Sequence, residues 1–179
     1  GNEYLRMARQ NPQQFPPGEI SPYFDAHQIA ITLGAKNRES GLSFYAAAED
    51  GLSKPIFIQG LTAIQTRENK FSPTRYLYFR FDDNFWYDES GGVNIAVKYY
   101  DGGTGSFYIE YDSTEKIGPL DGTYRPSGAV ELTNTKTWKQ TTLVITAARF
   151  ANRQNNDTDF RVVITNRDLA VNSLALTRQ

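Results

Sequence analysis

The sequence predicts an all-β chain, an antiparallel β-sandwich or barrel, on three observations. Apolar and polar residues alternate with a period of two through residues 76–112, the strand signature. Turn-forming clusters, DESGG and DGGTG, divide that stretch into three short runs, which reads as an antiparallel meander. Helical periodicity is scarce elsewhere, and nothing alternates strand with helix as a parallel sheet requires. In the first run Leu77, Phe79 and Phe81 fall on one face and Tyr76, Tyr78, Arg80 and Asp82 on the other. The second run sets Val93, Ile95, Val97 and Tyr99 against Asn94, Ala96, Lys98 and Tyr100. The third sets Phe107, Ile109 and Tyr111 against Tyr108, Glu110 and Asp112. Each strand thus has one face for a core and one carrying tyrosines among charges.

In chain order, residues 2–10 contain good helix formers with a weak apolar spacing, and read as a short helix or part of a linker. NPQQFPPGEISP places four prolines in twelve residues, which prevents a regular ladder. Residues 1–22 are therefore expected to be a linker or N-terminal extension, with one β-sandwich domain over 23–179. FDAHQIAITLGA alternates Ile29, Ile31 and Leu33 with Gln28, Ala30 and Thr32, and GLSFYAAAEDG reads as a second strand rather than a helical turn. KPIFIQGLTAIQTREN adds two β-like runs separated by Gly60. After the meander, STEKIGPLDGTYRPSG is a long rim loop, and AVELT, WKQTTLVITAA, DFRVVIT and NSLALT are the remaining strands. The buried set is expected to include Phe79, Phe81, Ile95, Val97, Phe107, Ile109, Val144, Val162 and Ile164.

Composition bounds the function. A chain of 179 residues, 39% hydrophobic and 13% aromatic, buries one substantial core. The absence of cysteine excludes disulfides and thiolate metal sites. With 19 basic and 20 acidic residues, long-range electrostatics select neither nucleic acid nor anionic lipid, and no apolar run is long enough to cross a bilayer. Neither nucleic acid nor membrane is an expected partner, and the chain is expected to be a monomer belonging to something longer.

The combination EDGLSKP, YLYFRFDD, VKYYDGGTGSFYIEYDS, LTNTKTWK and ARFANRQNNDTDFRVVI, running from about residue 49 to the end, resembles the β-sandwich accessory modules of bacterial polysaccharide-degrading enzymes, the carbohydrate-binding-module type of domain. The resemblance implies a jelly-roll fold, a non-catalytic role in binding a polysaccharide or oligosaccharide, an appended catalytic domain, a secreted location and, frequently, a structural calcium ion.

The residues carry chemistry that agrees with that role. Pyranose rings present a face of C–H groups on which aromatic rings stack, and planar polar side chains bond their hydroxyls. On the predicted non-core face Tyr76, Tyr78, Tyr100 and Tyr108 supply rings, and Arg80, Asn94, Lys98, Glu110 and Arg161 supply hydrogen bonds. The opposing reading is that this face packs beneath the N-terminal segment or the second sheet. Trp86, in the polar turn DDNFWYDES, is either an exposed sugar platform or a plug closing the sandwich end. Trp138 opens a strand and is expected to pack over the core, and Tyr124 with Arg125 forms a further exposed pair. Carboxylates cluster in loops, so calcium is sought first at Asp82 and Asp83 or at Asp157 and Asp159, against the alternative that these aspartates only shape turns. Two other functions stay open: a purely structural interdomain module, and an enzyme. The enzyme would be a glycosidase using Glu110 and Asp112, or a lyase drawing on Tyr23, His27 and Gln28.

Overall fold

A computed structural model describes residues 21–179 and, ahead of them, Met7. The expected N-terminal helix and almost all of the proline-rich connector lie outside the described residues. The strands are β1 (Gln28–Thr32), β2 (Arg38–Ser40), β3 (Leu42–Tyr45), β4 (Ser53–Ile58), β5 (Leu61–Thr66), β6 (Thr74–Phe81), β7 (Gly91–Tyr100), β8 (Thr104–Tyr111), β9 (Arg125–Pro126), β10 (Val130–Thr133), β11 (Trp138–Ala148), β12 (Phe160–Thr165) and β13 (Ala170–Arg178). They form two antiparallel sheets. The first runs β11-β7-β13-β1-β2, with β5 pairing β13 and β4 pairing β5; the second runs β10-β8-β12-β6-β3, with β9 on β8. The antiparallel sandwich is as the alternation predicts.

The predicted meander is not formed. β6 and β8 both belong to the second sheet, where they flank β12, while β7 lies between β11 and β13 in the first. The chain therefore passes from one sheet to the other and back. The link over 82–90 is too long for a tight hairpin, and it carries Phe85 and Trp86, both buried in the core. The link over 101–103 is short, but Asp101 anchors it to the strand β10 and the loop after it. The buried carboxylate accepts hydrogen bonds from the N–H and hydroxyl of both Thr133 and Thr135, at 2.7–3.1 Å, with the Lys139 ammonium at 3.2 Å.

The inward faces are as alternation requires. Leu77, Phe79 and Phe81 of β6 and Phe107 and Ile109 of β8 meet Val93, Ile95 and Val97 of β7, all within 1% exposure. The rings of Tyr99 and Phe107 pack edge to face at 4.8 Å across the two layers. One expected core residue, Val144, is 64% exposed. In β11 the inward positions are Leu143 and Ile145, and Val144 between them must face out because successive strand side chains alternate. In the β4–β5 hairpin Gln59 and Gly60 both take positive φ (45° and 81°), the geometry of a type I′ turn.

Candidate functional site

The outer face of the second sheet gathers part of the predicted set. In register, Tyr76 and Tyr108 lie on either side of Val163, and in the next row Tyr78 and Glu110 lie on either side of Arg161. Strands stand about 4.8 Å apart, so the two tyrosines of the first row are separated by roughly 10 Å. Arg161 is the centre of the face. Its guanidinium carbon sits 3.9 Å from the centre of the Tyr76 ring and 4.0 Å from that of Tyr124, so two rings lie against it. Its Nε donates to Glu110 Oε1 at 2.8 Å and its Nη1 to the Tyr78 hydroxyl at 2.9 Å. Burial opposes the charge of Arg161, but Glu110 and the two tyrosines outweigh it and raise its pKa above the ordinary value.

Tyr78 plays a different part from the one its spacing predicts. It points outward, yet it is fully buried, because residues of the loop after β3 cover it: a Cβ at Gly51 would lie 3.2 Å from its ring. Its hydroxyl donates to Asp50 Oδ2 at 2.9 Å and receives the Arg161 guanidinium. Burial and the neighbouring Asp50 push its pKa up despite Arg161. Tyr78 is a positioning residue. Tyr124 is fixed from behind, its hydroxyl accepting from Asn155 N at 3.0 Å. Tyr76 and Tyr108 stay half-exposed, and among the described residues their hydroxyls make no hydrogen bond. Burial raises the pKa of both, with Glu110 adding to it. Arg125 turns aside to pair with Glu115.

Three predicted members are elsewhere. Asn94, Lys98 and Tyr100 project from β7 on the outer face of the first sheet, on the opposite side of the sandwich. There Tyr100 meets Trp138 edge to face at 5.6 Å and accepts from Gln59 Nε2. Trp138 is half-exposed rather than in the core, and its Nε1 donates to Ile58 O under the tip of the β4–β5 hairpin. Arg80 stays on the outer face of β6 but two positions beyond Tyr78, 47% exposed, with Asp83 at 3.7 Å.

Trp86 is the plug and not an exposed ring. At 3% exposure it packs edge to face on Phe150 at 5.7 Å, and its Nε1 donates to Glu89 O and Arg149 O. Its ring also explains Gly91, where a Cβ would sit 2.9 Å from the indole.

Of the four aspartates considered for calcium, Asp83 and Asp159 come near one another through Asn152, which donates to both. One Asp82 oxygen accepts from Asn84 N and Nδ2 within its own turn, and both oxygens of Asp83 accept from Asn152 Nδ2. Asp159 is buried and accepts from the N–H groups of Phe81 and Asn152, while Asp157 is exposed. Burial, with Asp83 and Asp112 nearby, raises the pKa of Asp159 well above the usual carboxylate range. Asn152 Oδ1 is buried without a partner beside these carboxylates. Among the described residues no group of three or more His, Cys, Asp or Glu is placed to hold a metal. The glycosidase pair is also occupied: Glu110 is held by Arg161, and Asp112 is buried with Arg153 Nε on its Oδ1 at 2.7 Å.

The sequence matches no described family and no curated protein. Solved structures do resemble the fold. The chain is similar to the K2 cleaved adhesin domain of Lys-gingipain, at 12% identity over 84% of this chain and 99% of that one, TM-score 0.48. It is similar to the CBM22-1 xylan-binding domain of Paenibacillus barcinonensis Xyn10C, at 11% identity over 84% and 94% of the two chains, TM-score 0.49. It is also similar to the second N-terminal cellulose-binding domain of Cellulomonas fimi β-1,4-glucanase C, at 12% identity over 83% and 91%, TM-score 0.43. No helix among the described residues is long and apolar enough to cross a membrane.

Proposed function

We propose that this chain is a non-catalytic carbohydrate-binding domain that takes an uncharged run of polysaccharide across the outer face of the second sheet. The observation that carries the reading is the guanidinium of Arg161 in contact with the rings of Tyr76 and Tyr124, with Tyr76 and Tyr108 half-exposed on the same face. Tyr76 and Tyr108 offer surfaces to the C–H faces of sugars. Arg161 has five N–H groups, of which two are used by Glu110 and Tyr78, so the rest remain to donate to hydroxyl or ring oxygens. Holding the donor in place before the ligand arrives lowers the ordering cost of binding.

The charge of the face selects the ligand. Arg161 is balanced by Glu110 at 2.8 Å, and Asp50, bonded to the Tyr78 hydroxyl, adds negative charge nearby. A uronic-acid polymer would meet no surplus cation, so a neutral backbone is favoured. Burying roughly 100 Å² of apolar surface per sugar at about 25 cal/mol/Å² contributes about 2.5 kcal/mol, and two such contacts correspond to micromolar to millimolar affinity. That strength suits a secreted module tethered to an enzyme, because the tether supplies effective concentration.

Affinity gels loaded with neutral and acidic polysaccharides, run with and without added salt, test the proposal. Retardation by a neutral polymer, almost indifferent to salt, is the expected result. Binding confined to uronate polymers and abolished by salt would overturn it, and release of new sugar ends would show an enzyme instead.

A further inference from the structure

A cleft lies at the sandwich edge, where the chain turns from β2 into β3. It encloses about 540 Å³ and is walled by Tyr23, Glu39, Ser43, Arg80, Asp82 and Asn84. Arg80 is four residues beyond Tyr76 on β6, about 13 Å along the strand, so the cleft is distinct from the tyrosine row. Its volume is that of a small-molecule site, for which about 300–1,000 Å³ is usual.

The hydrogen-bonding groups left over in the cleft define what fits. Asn84 spends its N–H and Nδ2 on one oxygen of Asp82, which leaves Asp82 Oδ2 and Asn84 Oδ1 as acceptors. The Glu39 carboxylate, exposed, makes no ion pair or hydrogen bond among the described residues. Ser43 donates to Arg80 O at 3.1 Å and keeps its lone pairs. Arg80, 47% exposed, has Asp83 at 3.7 Å, a loose pairing that leaves most of its donors for a ligand. Acceptors therefore outnumber donors, and three carboxylates stand against one guanidinium. Phosphate, sulfate and uronate are repelled. A ligand with several O–H donors and one oxygen for Arg80 satisfies these groups.

We propose that this cleft is a second carbohydrate site, for an uncharged sugar unit such as the end of a neutral glycan chain. The cleft and the tyrosine row are separate surfaces, so each can be lost without the other. The test is an amide chemical-shift titration of the full chain with neutral mono- and disaccharides: glucose, xylose, mannose, galactose, cellobiose and xylobiose. The expected result is a millimolar response centred on Tyr23, Glu39, Ser43 and Asn84, weakened at least about tenfold in Glu39→Ala and in Asn84→Ala. Tyr108→Ala should leave that response in place, while both cleft variants should still be retarded in a polysaccharide gel. Shifts confined to Tyr76, Tyr108 and Tyr124, or no shifts with any sugar, would overturn the proposal. A response to calcium chloride or spermidine without one to sugars would also overturn it, by showing that the cleft takes a cation.

Discussion

The two outer faces of this sandwich are built from strands of the same pattern, yet they are opposite in character. On the second sheet long polar side chains bind one another: Arg161 is clasped by Glu110, Tyr76, Tyr78 and Tyr124. On the first sheet the central row is Ala30, Ala175, Ala96 and Thr142, aligned across β1, β13, β7 and β11. That row is short-chained and offers no ring, and Tyr100, at one end of the same face, is spent on Trp138 and Gln59. Alternation supplies an outward face on every strand. Only a face whose outward groups are held in place by one another has the fixed donors and rings that recognition needs.

The largest effect should come from the link that sends the chain between the faces. Asp101→Ala removes the acceptor for four N–H and O–H donors and should cost about 3 kcal/mol of unfolding free energy in denaturant melts. Burial alone would raise the pKa of Asp101, but the bonds from Thr135 and Thr133 prevail and hold it well below the usual carboxylate range. Its folded value is thus lower than its unfolded value near 3.9. The stabilisation is complete above about pH 4 and is lost as pH falls toward the folded value. Asp101→Asn should remove that part of the acid dependence.

Next in size is the contrast between two cations. Arg161→Ala should cost about 2–3 kcal/mol of stability, since Glu110 is left largely buried without its partner, and should reduce polysaccharide binding at least about tenfold. Lys98→Ala, on the first sheet, should change stability by less than about 0.5 kcal/mol and binding not at all. Equal losses of binding in the two variants would erase the distinction between the faces.

The tyrosines sharpen it further. Tyr108→Ala should cost about 1–2 kcal/mol of binding with the fold intact. Tyr100→Ala should instead cost about 1 kcal/mol of stability through the lost Trp138 contact and leave binding unchanged. Isothermal titration with the polymer retained in the gel assay separates the two. The smallest effect expected is that of a chelator: with no group of three or more His, Cys, Asp or Glu placed to hold a metal among the described residues, EDTA should leave the melting temperature in place. A fall reversed by calcium would show a bound metal.

The strand pattern and the inward set were legible in the sequence because alternation and burial are local: Leu77, Phe79, Val93, Ile95, Phe107 and Ile109 each follow from their neighbours. The same rule misplaced Val144 by one position only because two apolar residues flank it on a strand that faces water on one side. Which strands share a sheet was not legible. A link of three residues serves a hairpin or a crossing between layers about 10 Å apart, and the choice was made by Asp101 bonding to Thr133 and Thr135, some thirty residues on. That choice moved Asn94, Lys98 and Tyr100 to one side and left Tyr76, Tyr108, Glu110 and Arg161 on the other. The burial of Tyr78 beneath the loop carrying Asp50 and Gly51, the turning of Trp86 into the core and the bracing of Tyr124 by Asn155 are contacts between distant segments. Residue types and their period determined the strands of this protein and their inward faces; long-range pairing, to which a period of two is blind, decided which of its tyrosines stand together.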